Sequence, residues 1–308
     1  ADLFHAMIGG LGVLGVFTSI TLQLKRVYSG ELWVEAWAPA SLEEMMADME
    51  ARKEEDDYIV GWIDGMAGGR QLGRGQVHSA RYLAPGEDPT PRQTLHPDHQ
   101  NLPDVLFGFV PTSILWRLMT PWMNNPGTRL VNWGKYLTSR LGNHKVYRQP
   151  HAAFHFLLDY IPNWIRSYGP EGLIQFQSFI PKENAASAFR EMITLTQQRG
   201  LPSYLVVLKR HRPDDFLLSH AVDGFSLAMD FKITRRNRVR LQQMCDELTG
   251  IVLSAGGRFY FAKDSTLHPQ AVRQYLGEEA VTRFLQLKER LDPEGLLQTD
   301  LYRRLFRS

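Results

Sequence analysis

The period of apolar and polar positions changes several times along this chain. Glu31–Ala38, "ELWVEAWA", alternates as a half-buried strand does. From Ser41 the apolar residues Met45, Met46 and Met49 recur at helical spacing, and Ser41 with Glu44 fits the reciprocal cap that opens many helices. "DDYIVGWID" predicts a second strand, and "GGRQLGRGQVHSARYL" a glycine-rich turn with a returning strand. The second half repeats this grammar without a fixed period. "GLIQFQSFIP" predicts a strand, a helix follows from about Lys182 to Arg199, and "SYLVVLKRH" and "GFSLAMDFKI" predict two more strands. A helix from about Thr234 to Ala255 leads to "GGRFYFAKDS", a final strand, and then to a helical tail. The pattern is α+β: an antiparallel sheet with strands near 31–38, 58–64, 75–83, 172–180, 203–211 and 225–233, covered by helices on one face.

Two stretches depart from this regularity. The first, "LFHAMIGGLGVLGVFTSITLQLKRV" (Leu3–Val27), combines a short apolar segment, the glycines Gly9, Gly10, Gly12 and Gly15, and a β-branched run, Val16–Leu22, that predicts a strand. Such glycine clusters serve either a plain tight turn or a close backbone approach to a ligand. A dinucleotide fingerprint is excluded, because no strand precedes the glycines and a predicted strand, not a helix, follows. The second stretch is Val105–Met123, which follows a Pro-, Asp- and His-rich loop over residues 84–104. It is about as long as a bilayer-spanning helix, but Gly108, Pro111, Arg117 and Pro121 interrupt it. Two broken, aromatic-rich helices remain, either an ordinary buried pair or a segment that covers a pocket or rests on a membrane surface.

Composition narrows the function classes. The chain has 308 residues, 35 Lys and Arg against 33 Asp and Glu, and a net charge of +2, so nothing in its balance argues for nucleic acid. A single cysteine, Cys245, excludes an internal disulfide and a thiolate metal cluster, and nothing points to an oxidising compartment. A cytoplasmic protein, peripheral to the membrane at most, is the expectation. "HPDH" (His96, Asp98, His99) lacks a third ligand nearby, so no metal is expected.

Taken in order, several motifs resemble a known family. The opening glycine stretch resembles the end of the flavin-binding domain in FAD-linked oxidases of the vanillyl-alcohol oxidase type. "GWIDGMAGGRQLGRG", "GLIQFQSFIP", "LVVLKRH" and "FSLAMDF" resemble the substrate domain of its decaprenylphosphoryl-ribose oxidase and aldonolactone oxidase branch. "GGRFYFAKDS" and "LDPEGLLQTDLYRRL" resemble that branch's returning C-terminal segment. The resemblance implies FAD as cofactor and three parts: residues 1–28 as the end of the flavin domain, 29–257 as the substrate or cap domain, and 258–308 as the segment packing back on the flavin side. It also implies a larger flavin-binding region ahead of Ala1.

Candidate site residues follow from both readings. Lys263 lies in an aromatic segment where alternation would put it on one face with Phe259 and Phe261. A lysine there either meets an anion, such as the electron-rich edge of a reduced flavin, or snorkels to the surface at the strand end, or pairs with Asp264. Gln175 and Gln177 share one strand face and can bind sugar hydroxyls, or form a solvent-facing polar stripe. The resemblance further implies substrate contacts from Lys209, Trp62 and Ser226, and flavin contacts from Gly9, Gly10, Gly12, Gly15, Val16, Tyr260 and Ala262. Ser226 stands where the family pattern has an amide, and Ala228 where it has a reactive cysteine, so a differently shaped pocket is expected. The function implied is oxidation of an alcohol of a sugar or lipid-linked sugar by hydride transfer to flavin. The alternatives are a sterol-reductase-like flavoprotein and a non-catalytic α+β binding module.

Overall fold

The computed structural model describes residues 2–106 and 108–307. Its elements run α1 (Asp2–Met7), β1 (Glu31–Trp37), α2 (Leu42–Arg52), β2 (Tyr58–Ile63), β3 (Gly75–Tyr82) and α3 (Pro91–Thr94). A minimal hairpin, β4 (Val105–Leu106) and β5 (Val110–Pro111), precedes α4 (Leu115–Met119), α5 (Asn125–Leu141), β6 (Lys145–Pro150) and α6 (His151–His155). Then come β7 (Leu173–Pro181), α7 (Lys182–Gln198), β8 (Leu205–His211), β9 (Gly224–Lys232), α8 (Arg238–Ser254) and β10 (Arg258–Phe259). The chain ends in α9 (Pro269–Leu276), α10 (Glu278–Leu291) and α11 (Asp300–Phe306).

Eight strands form one antiparallel sheet in the order β10-β7-β9-β8-β2-β3-β1-β6. The expected α+β architecture is present. Helices α2, α7 and α8 cover one face and place Met45, Met49, Phe189, Met192, Leu241 and Leu248 against Ile63, Leu208, Leu227 and Met229 in a single buried cluster. Gly61, in the middle of β2, lets α2 come close: a Cβ there would stand 2.7 Å from the sulfur of Met45. The predicted cap holds as well. Ser41 Oγ accepts from the Glu44 N–H at 3.2 Å, and the Glu44 carboxylate accepts from the Ala40 N–H at 2.9 Å.

Four local expectations need correction. Val16–Leu22 is not a strand. Residues 16–27 are irregular, and Val16, Ile20 and Leu22 are exposed, because no strand among the described residues pairs with their backbone. The final strand shrinks to Arg258–Phe259, and Phe261–Lys263 is a 3-10 turn, so the alternation that paired Phe261 with Lys263 fails: Phe261 is buried and Lys263 is exposed. The Val105–Met123 stretch yields one five-residue helix between short turns, and no described helix is long and apolar enough to cross a membrane. The sheet's second face is not bare of helices either. α5 and α6, in a region where sequence pattern predicted no element, lie over its β1 end, and Phe154 of α6 packs with Leu32, Val34 and Ala80.

Candidate functional site

Strand register decides which side chains meet. Trp62 faces Val207, Val60 faces Lys209, Lys209 faces Ser226, Gln177 faces Ala228 and Gln175 faces Asp230. Because side chains alternate across a strand, Trp62, Gln175, Gln177, Lys209 and Ser226 all stand on the face opposite the α2–α7–α8 core. Five residues from four strands thus converge on one polar surface.

These five differ in what they can offer. Lys209 is exposed, with no carboxylate at ion-pair distance among the described residues. Gln175 donates from Nε2 to Asp230 Oδ1 at 2.6 Å, which leaves its amide oxygen as the free end. Gln177 Nε2 reaches Ser226 Oγ at 3.5 Å, while its own oxygen is buried without a partner. Ser226 is 1% exposed and also bonds His211 Nε2 at 2.7 Å. It therefore cannot line an open pocket and instead orients Gln177 and His211 from below. Trp62 is 8% exposed because the ammonium of Lys135, from α5, sits 4.0 Å above its ring. The expected stacking wall is already covered by a cation.

Three residues that the sequence reading passed over complete this surface. Asp230 is buried, with one carboxylate oxygen unpartnered, and burial raises its pKa to about 6 despite the Gln175 hydrogen bond and the positive charge of Lys263. His211 is held at about 4 by burial and by the charge of Lys209, so it is neutral at pH 7. Lys135 is exposed along its stem, yet desolvation of its ammonium brings its pKa down to about 8. Asp230 carried a readable signal: it is the lone carboxylate in β9, where eight of nine positions are buried. Lys135 carried none while α5 went unrecognised.

Lys263 lies beside this surface at the end of its 3-10 turn. Its ammonium is 6.0 Å from the Tyr260 ring, and no carboxylate among the described residues pairs with it. Partial burial and the charge of Lys209 lower its pKa, while Asp230 opposes them. The surface alternative fails in one respect: Asp264 pairs with Arg304 at 2.6 Å, not with Lys263. Tyr260 is tied in through His220, whose ring lies 4.8 Å from Tyr260 and 4.5 Å from Phe179. Ala262 is exposed.

The glycine segment approaches the same neighbourhood through the loop after β8. His5 packs edge-on to Phe216, and Gly9 comes within reach of the Leu218 carbonyl. One residue further on, the Ser219 carbonyl accepts from Arg258 at 3.1 Å. Ala6, Val13 and Leu14 share the buried cluster with Phe259 and Phe261. Gly9 and Gly12 adopt φ of +75° and +70°, and a side chain at Gly12 would meet nothing within 4 Å, so its backbone faces open space. Gly10 is different: a Cβ there would lie 2.6 Å from the Ala6 carbonyl, which is the close packing of a tight turn. Gly15 backs onto Met7, and Val16 is 75% exposed. The "HPDH" residues are engaged locally, His96 with Asp98 and His99 with Glu31, and no set of three potential metal ligands stands together among the described residues.

Among known proteins the resemblance to FAD-linked oxidases holds, and residues 177–305 match the D-arabinono-1,4-lactone oxidase family. The matched segment contains Gln177, Lys209, Ser226 and Lys263. Over 99% of its length the chain is 27% identical to decaprenylphosphoryl-β-D-ribose oxidase of Mycolicibacterium smegmatis, of which it spans 63%. It is also 25% identical over 98% of its length to an uncharacterized protein encoded in the mprA 5′ region of Streptomyces coelicolor, of which it spans 80%.

Proposed function

We propose that this chain is the substrate-binding part of an FAD-dependent oxidoreductase that takes hydride from an alcohol carbon of a sugar or lipid-linked sugar. The convergence of Gln175, Gln177 and Lys209 on one sheet face, with Lys263 within electrostatic reach, carries the reading. On this view residues 1–28 and 258–308 form the flavin side and 29–257 the substrate side.

The residues present fit a flavin. Gly12 offers open main chain at positive φ, and Lys263 is an ammonium that no carboxylate among the described residues pairs with. These two would hold the cofactor's edge, and FAD would supply the hydride acceptor. Lys263 contributes a fixed positive charge where negative charge develops, a term worth several kcal/mol when the donor is pre-positioned. The free oxygen of Gln175 accepts from a sugar hydroxyl, and Asp230 fixes which end of that amide faces outward. Ser226, itself held by His211, takes the amide nitrogen of Gln177, whose oxygen stays buried. Lys209 donates to a hydroxyl or phosphate oxygen. Contact of residues 105–123 with a membrane surface belongs to this reading, since a lipid-linked substrate is anchored there.

The test is anaerobic bleaching of the flavin band in FAD-loaded protein containing this chain, with a polyprenyl-phosphoryl pentose and, separately, a free pentonolactone. Lys263→Met is expected to slow bleaching about 10²-fold or more. Wild-type speed in that variant would end the proposal. Faster bleaching by the free lactone would move the substrate toward the one in the matched family's name.

A further inference from the structure

α5 is amphipathic in the opposite sense to a helix packed on a sheet. Its inward arc is Thr128, Asn132 and Ser139, all buried. Its outward arc is Leu130, Trp133, Leu137 and Leu141, which are 54, 51, 42 and 82% exposed. At about 100° per residue the two arcs lie on opposite sides of the helix. The outer arc continues into neighbouring elements: α5 packs beside the Thr120–Trp122 turn, which packs beside α4, and both Trp122 and Leu118 are exposed. Contiguous exposed apolar surface on this scale marks an interaction site.

Charge segregates with this surface. Residues 105–170 hold seven Lys and Arg against one carboxylate, Asp159, in a chain whose totals are 35 and 33. α5 itself has no acidic residue, and Arg129 and Arg140 are exposed on the flank of its apolar arc. Arg117 and Arg166 both stand over the Trp116 ring, at 5.3 and 5.9 Å. Apolar anchors rimmed by cations fit the boundary between anionic headgroups and acyl chains. A second copy of the chain fits poorly, because a two-fold contact would set these cations against each other.

We infer that the outer face of α5, together with Trp122 and Leu118, docks on a bilayer containing anionic phospholipid. This deepens the reading of a membrane-anchored substrate and rests on it, but lipid binding is measured without flavin or turnover. The two therefore fail separately.

The experiment is co-sedimentation with vesicles of pure phosphatidylcholine or of an equimolar phosphatidylcholine–phosphatidylglycerol mixture. Binding is expected to the mixed vesicles and to weaken with salt. Leu130→Glu with Leu137→Glu should reduce it at least about tenfold, since each change removes an anchor and adds a repelled charge. Arg129→Ala with Arg140→Ala should reduce it roughly fivefold per charge. This pair also gives the answer if the glutamate variant loses its helical circular dichroism. Leu296→Glu, at a residue 75% exposed outside this region, should change nothing. Unchanged sedimentation of the α5 variants, equal binding to pure phosphatidylcholine, or a dimer that the glutamate pair dissociates in place of vesicle binding would each overturn the assignment.

Discussion

Two helices of equal length lie on opposite faces of the same sheet. α7 and α5 each have 17 residues, yet they bury opposite sides. α7 turns Ala185, Ala188, Phe189, Met192 and Ile193 onto the sheet and leaves its polar residues in water. α5 turns Thr128, Asn132 and Ser139 inward and leaves its leucines outside. The difference follows from what each helix covers. Beneath α7 the strands present Leu208, Leu227 and Met229, and burial of apolar area stabilises the fold. α5 lies instead over β1 and β3, where its Lys135 stands over the Trp62 ring and near the half-buried His78, and an apolar helix face there would strand polar groups. One face of the sheet supplies stability, and the other holds the groups that can do chemistry.

The largest expected effect tests the α7 side. Phe189→Ala should cost about 3–5 kcal/mol in urea denaturation, the usual loss for a fully buried aromatic, since Phe189 is 0% exposed. A cost below about 1 kcal/mol would remove α7 from the core. A smaller effect sharpens the polar side. Asp230 has a folded pKa of about 6, above its unfolded value near 3.8, so the folded state holds the proton more tightly. Its contribution is fully favourable below about pH 4 and is lost as pH rises through 6. Asp230→Asn should therefore gain up to about 3 kcal/mol at pH 8 and nearly nothing at pH 4. Equal gains at both pH values would mean that the carboxylate is not the strained group. The smallest effect is on α5. Leu137→Ala should stay within about 0.5 kcal/mol of wild type, because Leu137 already faces water. A loss comparable to that of Phe189→Ala would mean that α5 buries its leucines after all.

Where local pattern and burial agree, the sequence was legible. The six central strands and α2, α7 and α8 were readable because alternation or helical spacing coincides with one buried face. Gln175 and Gln177 stand out as candidates by that route, and Lys263 by a lysine's oddity among aromatics. α5 was missed for the same physical reason: its apolar residues have the right spacing but face out, and no strand pattern flanks it. Val16–Leu22 misled in the other direction, since β-branched composition describes a strand's side chains but supplies no partner for its backbone. Ser226 was read as a pocket residue, whereas depth within the sheet is set by cross-strand neighbours that sequence spacing does not reveal.

The contact between Lys135 and Trp62 has a mechanical consequence. The ammonium belongs to α5 and the indole to β2, so any guest that takes the ring's face must first displace a side chain rooted in the outer helix. Displacing that ammonium would change the field at the Trp62 indole and so its emission, and with seven tryptophans in the chain a difference spectrum against Trp62→Phe isolates the change.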